Sequence, residues 1–185
     1  AYGTEDFDDL YLKYEADKTI PKKTVAAQDL FGDLLKERAE TGRIYIMNLD
    51  HCNSHSSFKD KVSMSNLCQE ITLPTTPIQD IHDEQGEIAL CILSAVNVGG
   101  LNDLSELENI CDLSVRALEQ IIDYQDYPVK AAEVSTKKRR SLGVGYIGLA
   151  HYLAKHGVKY SDPKAWDIVD RLSEAFQYNL LRASC

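Results

Sequence analysis

One short segment, Ser65-Asn66-Leu67-Cys68-Gln69-Glu70-Ile71, combines three side-chain types that could act together on a small substrate. If its backbone is extended, side chains alternate, and Asn66, Cys68 and Glu70 project from one face within about 14 Å of one another. The thiol could then abstract an atom, the carboxylate could take up a proton, and the amide could orient the substrate. From the spacing alone, the simpler interpretation is a structural cysteine on a strand whose polar neighbours face water.

Cys91 and Cys111 lie in apolar segments, and each is predicted, taken alone, to be part of the core. Cys91 falls within residues 88–96, a nearly all-apolar run that predicts a strand buried on both faces. Cysteine in its thiol form is among the residue types most often buried. The total of five cysteines is odd and shows no compact spacing, which disfavours a disulfide framework and favours a reducing compartment.

The run His51-Cys52-Asn53-Ser54-His55 contains side chains of the types that bind zinc. A closed zinc site needs four ligands, and no second cluster of similar spacing occurs in the sequence. We therefore predict a loop that packs near the active region and no metal site in the chain.

The segment Gly143–Gly148 matches the dinucleotide-binding pattern G-x-G-x-x-G letter for letter. That pattern binds phosphate where an apolar strand precedes it and the turn leads to a helix N-terminus. Here the basic run Lys137–Arg140 precedes it, so we predict a helix over residues 140–156 in which small residues allow close packing. The basic run is interpreted as the solvated approach to that helix. A dinucleotide-dependent oxidoreductase is an alternative.

Hydrophobic periodicity and turn residues predict an α/β protein with few strands for its number of helices. Strands that complete the sheet are expected to lie outside the chain. The helix over residues 104–122 is amphipathic, with Ile121 among its inner residues. The predicted helices cover residues 7–17, 21–39, 104–122, 140–156 and from 161 on, and the predicted strands cover residues 43–49, 66–73 and 88–96.

The bulk composition limits the class of protein. With 185 residues, 44% of them hydrophobic, the chain can bury a core as one domain or as part of a larger one. Its formal net charge of -9 disfavours a nucleic-acid-binding surface. No apolar stretch reaches the roughly 18 residues that a membrane span needs, and no leader is recognisable, so a cytoplasmic location is predicted.

The Asn-x-Cys-x-Glu pattern at residues 66–70 resembles the active-site motif of the large, catalytic subunit of class I ribonucleotide reductases. The similarity continues over nearly the whole chain, from about Tyr11 onward. Several blocks in the same order make coincidence a poor explanation. Besides the motif, the blocks are residues 43–46 with 50–53, 86–91, 123–128 and 140–145.

The resemblance implies a role for each matching residue of the motif. Cys68 matches the cysteine that becomes a thiyl radical and abstracts the 3′-hydrogen of the ribonucleotide. Glu70 matches the carboxylate that takes the 3′-hydroxyl proton, and Asn66 matches the amide that holds the substrate hydroxyls. Ser65 and Leu67 join these three as implied substrate-binding residues.

The resemblance also implies a redox thiol and a fold. Cys91 matches one of two cysteines that deliver reducing equivalents to C2′ and end as a disulfide. The family fold is a ten-stranded α/β barrel with the radical cysteine at the tip of a loop, which would place the motif in a loop rather than a strand. Residues 1–185 would be part of a single catalytic barrel domain. The N-terminal regulatory region, the C-terminal part of the barrel and the partner of Cys91 would lie outside it.

The implied enzyme reduces ribonucleoside diphosphates to deoxyribonucleoside diphosphates, and this chain is expected to be inactive alone. The implied partners are a second large subunit in a homodimer, a metal-containing small subunit that supplies the radical, and thioredoxin or glutaredoxin as reductant. No cofactor is expected on the chain, and ATP and deoxynucleotide effectors would bind elsewhere on the parent subunit. A non-catalytic interaction module, or a split-gene piece that retains the motif, is the alternative.

Overall fold

The computed structural model describes residues 6–185. The chain divides into two compact units, the first ending at Thr75 and the second running from Thr76 to Cys185. The second unit combines a parallel strand pair with helices, so the predicted α/β class is confirmed. Within residues 6–185 the sheet has two strands, and the ten-stranded barrel therefore stays a prediction.

Among its described residues, the first unit has the helices α1 (Phe7–Ala16), α2 (Ala27–Thr41) and α3 (Leu49–Ser54). The position of α1 agrees with the predicted helix over residues 7–17. Helix α2 ends where predicted, because Gly42 takes the left-handed conformation (φ 66°) and its N–H donates to the Arg38 carbonyl. The predicted start near Pro21 is wrong. Lys22 instead donates to the last carbonyls of α1, so this stretch caps that helix.

The predicted strand over residues 43–49 is wrong. Residues 43–48 have no regular structure, and Leu49 begins α3. The side chain of Asn53 explains the difference, since its Nδ2 donates to the carbonyls of Leu49 and Val62 and its Oδ1 accepts from the Val62 N–H at 2.8 Å. This pairing closes the intervening loop. The β-type run also has no neighbouring strand within residues 6–75, and a lone strand cannot satisfy its backbone.

Two strands and four α-helices form the second unit. In chain order they are β1 (Ile92–Asn97), α4 (Leu107–Tyr124), α5 (Lys130–Arg139), β2 (Leu142–Ile147), α6 (Leu149–Lys155) and α7 (Lys164–Ser184). The strands are parallel and in register from Ile92 opposite Leu142 to Asn97 opposite Ile147. Parallel neighbours need a crossover connection, and α4 and α5 lie within it. The strand predicted over residues 88–96 is confirmed from Ile92 onward.

The helices cover one face of the strand pair and leave the other face open. Val96, Val144 and Tyr146 project toward the helices, where they contribute to the hydrophobic core. The alternate positions of both strands project from the opposite face, on which Leu93 is 59% exposed. The prediction that this strand is buried on both faces is therefore wrong for the described residues.

The core of the second unit lies between the strand pair and the long helices. Leu107 and Cys111 of α4 and Leu172 of α7 are fully buried there. Helix α4 is amphipathic as predicted, and burial of its apolar side chains holds it against its neighbours. The prediction that Ile121 faces inward is wrong, because Ile122 is buried instead and Ile121 is 41% exposed.

No helix in the described part of the chain is both long enough and apolar enough to cross a membrane.

The predicted helix over residues 140–156 is replaced by the strand β2 and the short helix α6. Arg140 takes the left-handed conformation (φ 48°) and thereby ends α5. Its guanidinium binds the carboxylates of Glu119 and Asp123 on α4, with 2.8 Å between Arg140 Nη2 and Asp123 Oδ2. Pairing with β1 then supplies backbone partners for residues 142–147, which local periodicity cannot reveal.

The basic run Lys137–Arg140 is ion-paired rather than simply solvated. Lys137 pairs with Glu133 along α5. Lys138 and Arg139 both pair with Glu87, and Arg140 binds α4. The run therefore fastens α5 and the start of β2 to the rest of the second unit.

Candidate functional site

Residues 65–71 form a closed loop, so the predicted strand over residues 66–73 is wrong. The carbonyl of Asn66 accepts from the Gln69 N–H at 3.1 Å, and Gln69 has a φ of 61°. A left-handed residue turns the chain, and the strict alternation of side chains expected for a strand no longer applies. The motif lies in a loop, as the family resemblance implies.

Two of the predicted site residues hold this loop closed. Ser65 Oγ donates to the Ile71 carbonyl at 2.8 Å, and Asn66 Oδ1 accepts from the Ile71 N–H at 3.0 Å. Ser65 Oγ also lies 3.3 Å from Asn66 Oδ1, a second and more distant acceptor for the same hydroxyl proton. Side-chain bonds to the backbone of this kind favour a turn over a strand, which is why the sequence spacing misleads here.

The tip of the loop presents its chemical groups to solvent. Leu67 is 75% exposed, and Cys68 and Glu70 are also exposed. An accessible thiol, with an amide two residues before it and a carboxylate two residues after it, can take part in chemistry on a small bound molecule. Asn66, Cys68 and Glu70 thus lie on one short loop of the first unit.

Cys91 lies directly before β1 in the second unit and is half-buried. Its Sγ donates to the Ile92 carbonyl at 3.9 Å. A Cβ built on Gly143 of β2 would lie 3.1 Å from that sulfur, so the thiol lies beside the neighbouring strand, on the face that the helices leave open. The prediction that Cys91 is a core residue when judged alone is therefore wrong.

Cys111 is the core cysteine that its position predicts. It is fully buried on α4, with its Sγ 4.0 Å from the Phe176 carbonyl. Burial raises the pKa of the Cys111 thiol, and the positive charge of Arg182 opposes this only in part. A thiol that stays protonated and inaccessible is a poor nucleophile, so Cys111 has a packing role.

Glu87 is a buried carboxylate that sequence reasoning missed. It is 7% exposed and accepts from Lys138 Nζ at 2.5 Å and from Arg139 Nε at 2.7 Å. Burial raises the pKa of Glu87, but the hydrogen bonds from these two cations outweigh burial and hold the pKa below its ordinary value of 4.5. Its backbone pairs with Thr76, so Glu87 anchors the segment that leads to Cys91. A charge at the edge of an apolar run was the signal available in the sequence.

The cluster of zinc-type side chains at residues 51–55 lies mostly on α3, not in the predicted loop. The Nδ1 atom of His55 lies 3.0 Å from the His51 carbonyl and 3.0 Å from Ser54 Oγ. Among residues 6–185, no group of three or more His, Cys, Asp or Glu side chains is placed to hold a metal ion.

The glycine pattern does not have the geometry of a dinucleotide fingerprint. Gly143 and Gly145 lie within β2 rather than in a turn after a strand. Gly148 alone occupies the strand-to-helix turn, with a φ of 80°, where a Cβ would collide with Asn97 Oδ1. The fingerprint needs its glycines at the turn, where the backbone meets the phosphates. Gly143 and Gly148 instead leave room for side chains at and next to β1, and Gly145 has open space around it, so the predicted packing between helices is also wrong.

Comparison with known proteins identifies the class of protein. The ribonucleotide reductase barrel domain family matches residues 1–185, and the chain belongs to this family.

The chain is similar to proteins named ribonucleoside-diphosphate reductase subunit alpha. By that name these relatives are subunits of an oxidoreductase. It is 57% identical to the subunit of Haemophilus influenzae over 96% of the chain and 54% identical to the alpha subunit of ribonucleoside-diphosphate reductase 1 of Escherichia coli over 97%. It is 55% identical to the subunit of Buchnera aphidicola subsp. Baizongia pistaciae over 98% of the chain. In each case the match covers 24% of the relative, so the chain spans about a quarter of the length of these curated relatives.

Proposed function

We propose that this chain supplies the radical loop and one redox thiol of a catalytic subunit that reduces ribonucleoside diphosphates to deoxyribonucleoside diphosphates. The observation that carries the proposal is the closed loop of residues 65–71, which holds an exposed Cys68 between Asn66 and Glu70. Membership of the ribonucleotide reductase family gives this loop its chemical interpretation.

Each residue of the loop has a separate role in the proposed reaction at the sugar. Cys68, as a thiyl radical, abstracts the hydrogen atom from C3′ and becomes a thiol. Glu70 takes the proton from the 3′-hydroxyl, which assists loss of the 2′-hydroxyl as water. The Oδ1 of Asn66 already accepts from the Ile71 N–H. Asn66 therefore binds the substrate hydroxyls through its Nδ2, with Ser65 and Leu67 forming the rest of the substrate contact.

Cys91 supplies one of the two thiols that provide electrons. Two thiols lose two protons and two electrons to become a disulfide. One proton leaves with the 2′-hydroxyl as water, the other proton and the two electrons reduce the sugar so that C2′ gains a hydrogen, and Glu70 returns its proton to the 3′-oxygen. Cys68 then returns its hydrogen atom to C3′ and is again a thiyl radical. The position of Cys91 on the open face of the strand pair supports this role, because a thiol buried beneath the helices could not reach a sugar.

The rest of the enzyme is proposed from the family. The strand pair would be part of a ten-stranded α/β barrel, in a subunit that forms a homodimer. A metal-containing small subunit would supply the radical, and thioredoxin or glutaredoxin would reduce the disulfide. ATP and deoxynucleotide effectors would bind the parent subunit outside this segment, and the enzyme would act in the cytoplasm.

The test uses the complete alpha subunit that contains this sequence, with small subunit, substrate and reductant. Cys68→Ser should lower deoxynucleotide formation by at least about 10³-fold, because a serine hydroxyl cannot replace a thiol that is oxidised to a radical. Cys185→Ser removes another exposed thiol and is the matched control, with an unchanged rate expected. With the unchanged subunit, a substrate deuterated at C3′ should react more slowly. Full activity of Cys68→Ser would contradict the proposal.

A further inference from the structure

The open face of the strand pair has a gap in its side chains beside Cys91. Gly143 of β2 is the register partner of Leu93, and both face the same side as Cys91. A Cβ built on Gly143 would lie 2.5 Å from Leu93 Cδ2 and 3.1 Å from Cys91 Sγ. Both distances are shorter than the roughly 3.5–4.0 Å at which non-bonded atoms pack best. The smallest side chain therefore does not fit without moving the sulfur or the leucine.

Gly145 lies two residues further along the same face of the same strand and differs sharply from Gly143. A Cβ built on Gly145 would meet no atom within 4 Å. Neither glycine has a positive φ, so the backbone conformation does not require glycine at either position. At Gly143 the crowding comes from the neighbouring side chains alone: the flexible end of Leu93 would have to move, and the Cys91 sulfur would have to shift slightly.

We propose that Gly143 is a positioning residue for Cys91, whose missing side chain keeps the thiol in place and accessible on the open face. The significance of this for turnover rests on the proposed function, in which Cys91 exchanges electrons at the substrate. Thiol–disulfide exchange requires approach to a particular sulfur, and its rate depends on access as well as on the thiolate fraction. A methyl group at position 143 would shield the side of the sulfur that faces β2.

The test measures alkylation of Cys91 by iodoacetamide in the complete subunit, resolved by mass spectrometry from about pH 6 to about pH 10, a range that spans ordinary thiol titration. Gly143→Ala should lower the Cys91 rate at least about fivefold over the whole pH profile, because access rather than ionisation changes. Gly145→Ala, the matched control, should leave the Cys91 rate unchanged. Cys68 and Cys185, which are exposed, provide internal reference rates.

Buried Cys111 reports whether a variant has lost its fold, since its alkylation would accelerate on unfolding. If Gly143→Ala alone unfolds the protein, a second pair of variants tests the proposal. Leu93→Ala removes the tighter of the two contacts and is tolerable because Leu93 is largely exposed. Adding Gly143→Ala to Leu93→Ala then tests the contact with the sulfur alone. A Cys91 rate equal to that of Leu93→Ala would overturn the proposal, and a lower rate would support it.

The alkylation test of Gly143 and the activity test of the proposed function can give independent results. Alkylation does not require turnover, so it tests the positioning of Cys91 whatever reaction the subunit catalyses. Cys91→Ser in the complete subunit tests the redox role, because full deoxynucleotide formation with thioredoxin would contradict that role. That result would say nothing against the effect of Gly143 on the Cys91 thiol, which the alkylation rates measure separately.

Discussion

At the scale of single residues, Asn66 has two separable tasks on its two side-chain atoms. Its Oδ1 accepts from the Ile71 N–H and helps to close the loop. Its Nδ2 is the group that we propose for substrate hydroxyls. Closure of the loop therefore depends on an acceptor at position 66, and the proposed substrate binding depends on a donor. Substitutions that keep one group and remove the other distinguish the two tasks.

Asn66→Ala should raise hydrogen exchange of the Ile71 amide by about 10-fold, the change expected when one hydrogen bond worth roughly 1.4 kcal/mol is lost. Asn66→Asp keeps an oxygen acceptor and should preserve most of the protection while removing the donor. Hydrogen exchange followed by NMR gives the exchange rate of the Ile71 amide in each variant. Ser65→Ala is the comparison variant: it removes the hydroxyl that bonds to the Ile71 carbonyl and approaches Asn66 Oδ1 but keeps the bond from the Ile71 N–H, so protection should fall less than in Asn66→Ala. Equal protection in Asn66→Ala and the unchanged chain would contradict this assignment.

At the scale of elements, the position of Cys91 depends on the segment that leads into β1. Glu87 anchors that segment through Lys138 and Arg139, which come from the last turn of α5. Strand β1 is further tied to β2 by the bond from the Ile92 N–H to the Ser141 carbonyl at 3.3 Å. A buried carboxylate with two cations stabilises the fold only while it is ionised, so this anchor should depend on pH.

Glu87→Gln should lower the free energy of unfolding by about 2 kcal/mol near neutral pH, because it removes a mostly buried negative charge that accepts hydrogen bonds from Lys138 and Arg139. The pKa of Glu87 is held below 4.5 in the folded chain, so its contribution is complete above that pH and is lost as pH falls through the folded pKa. The difference between the two proteins should therefore shrink as the pH falls below the ordinary value of 4.5. Urea unfolding at a series of pH values measures it.

The matched control is Glu133→Gln. Glu133 also accepts from two cations, but it lies on the surface of α5, where solvent weakens ion pairs. We expect this change to have much less effect on stability than Glu87→Gln. An equal loss in both variants, or a difference that is constant with pH, would show that Glu87 is not the anchor described above.

At the scale of the whole molecule, the parts predicted from the sequence are those decided by local chemistry. The end of α2 follows from Gly42, and the amphipathic stripe of α4 follows from its periodicity. The residue types of the 65–71 motif identified the candidate site, although not its loop shape. That shape depends on two side chains that bond to the backbone of Ile71, a competition that spacing does not reveal.

The parts that could not be predicted depend on contacts between distant residues. Strand β2 contains two glycines, follows a basic run and gains its strand conformation by pairing with β1, which precedes it by 50 residues. Local propensity is a weak guide where such pairing decides the structure. The pairing of the basic run with Glu87 and α4 is likewise a tertiary contact. The same distant pairing places Gly143 beside Cys91.

The chain alone should not form deoxynucleotides, and the reason lies in the open face of the strand pair. Leu93 and Ile147 are 59% and 56% exposed there, on the face that carries Cys91. Radical chemistry at a sugar needs a site that excludes water and oxidants, and in the proposed barrel this face would line an interior cavity enclosed by the other strands. The chain spans about a quarter of its relatives' length, and under the proposed function those strands would belong to the rest of the subunit.

The measurement is deoxynucleotide formation by the purified 185-residue chain supplied with a small subunit, thioredoxin and a ribonucleoside diphosphate. The complete alpha subunit under the same conditions is the positive control and should give product. The isolated chain should give none above the signal of its own Cys68→Ser variant. Product that forms with the chain and disappears in that variant would mean that the loop works without the surrounding barrel, and the argument from the open face would then be wrong.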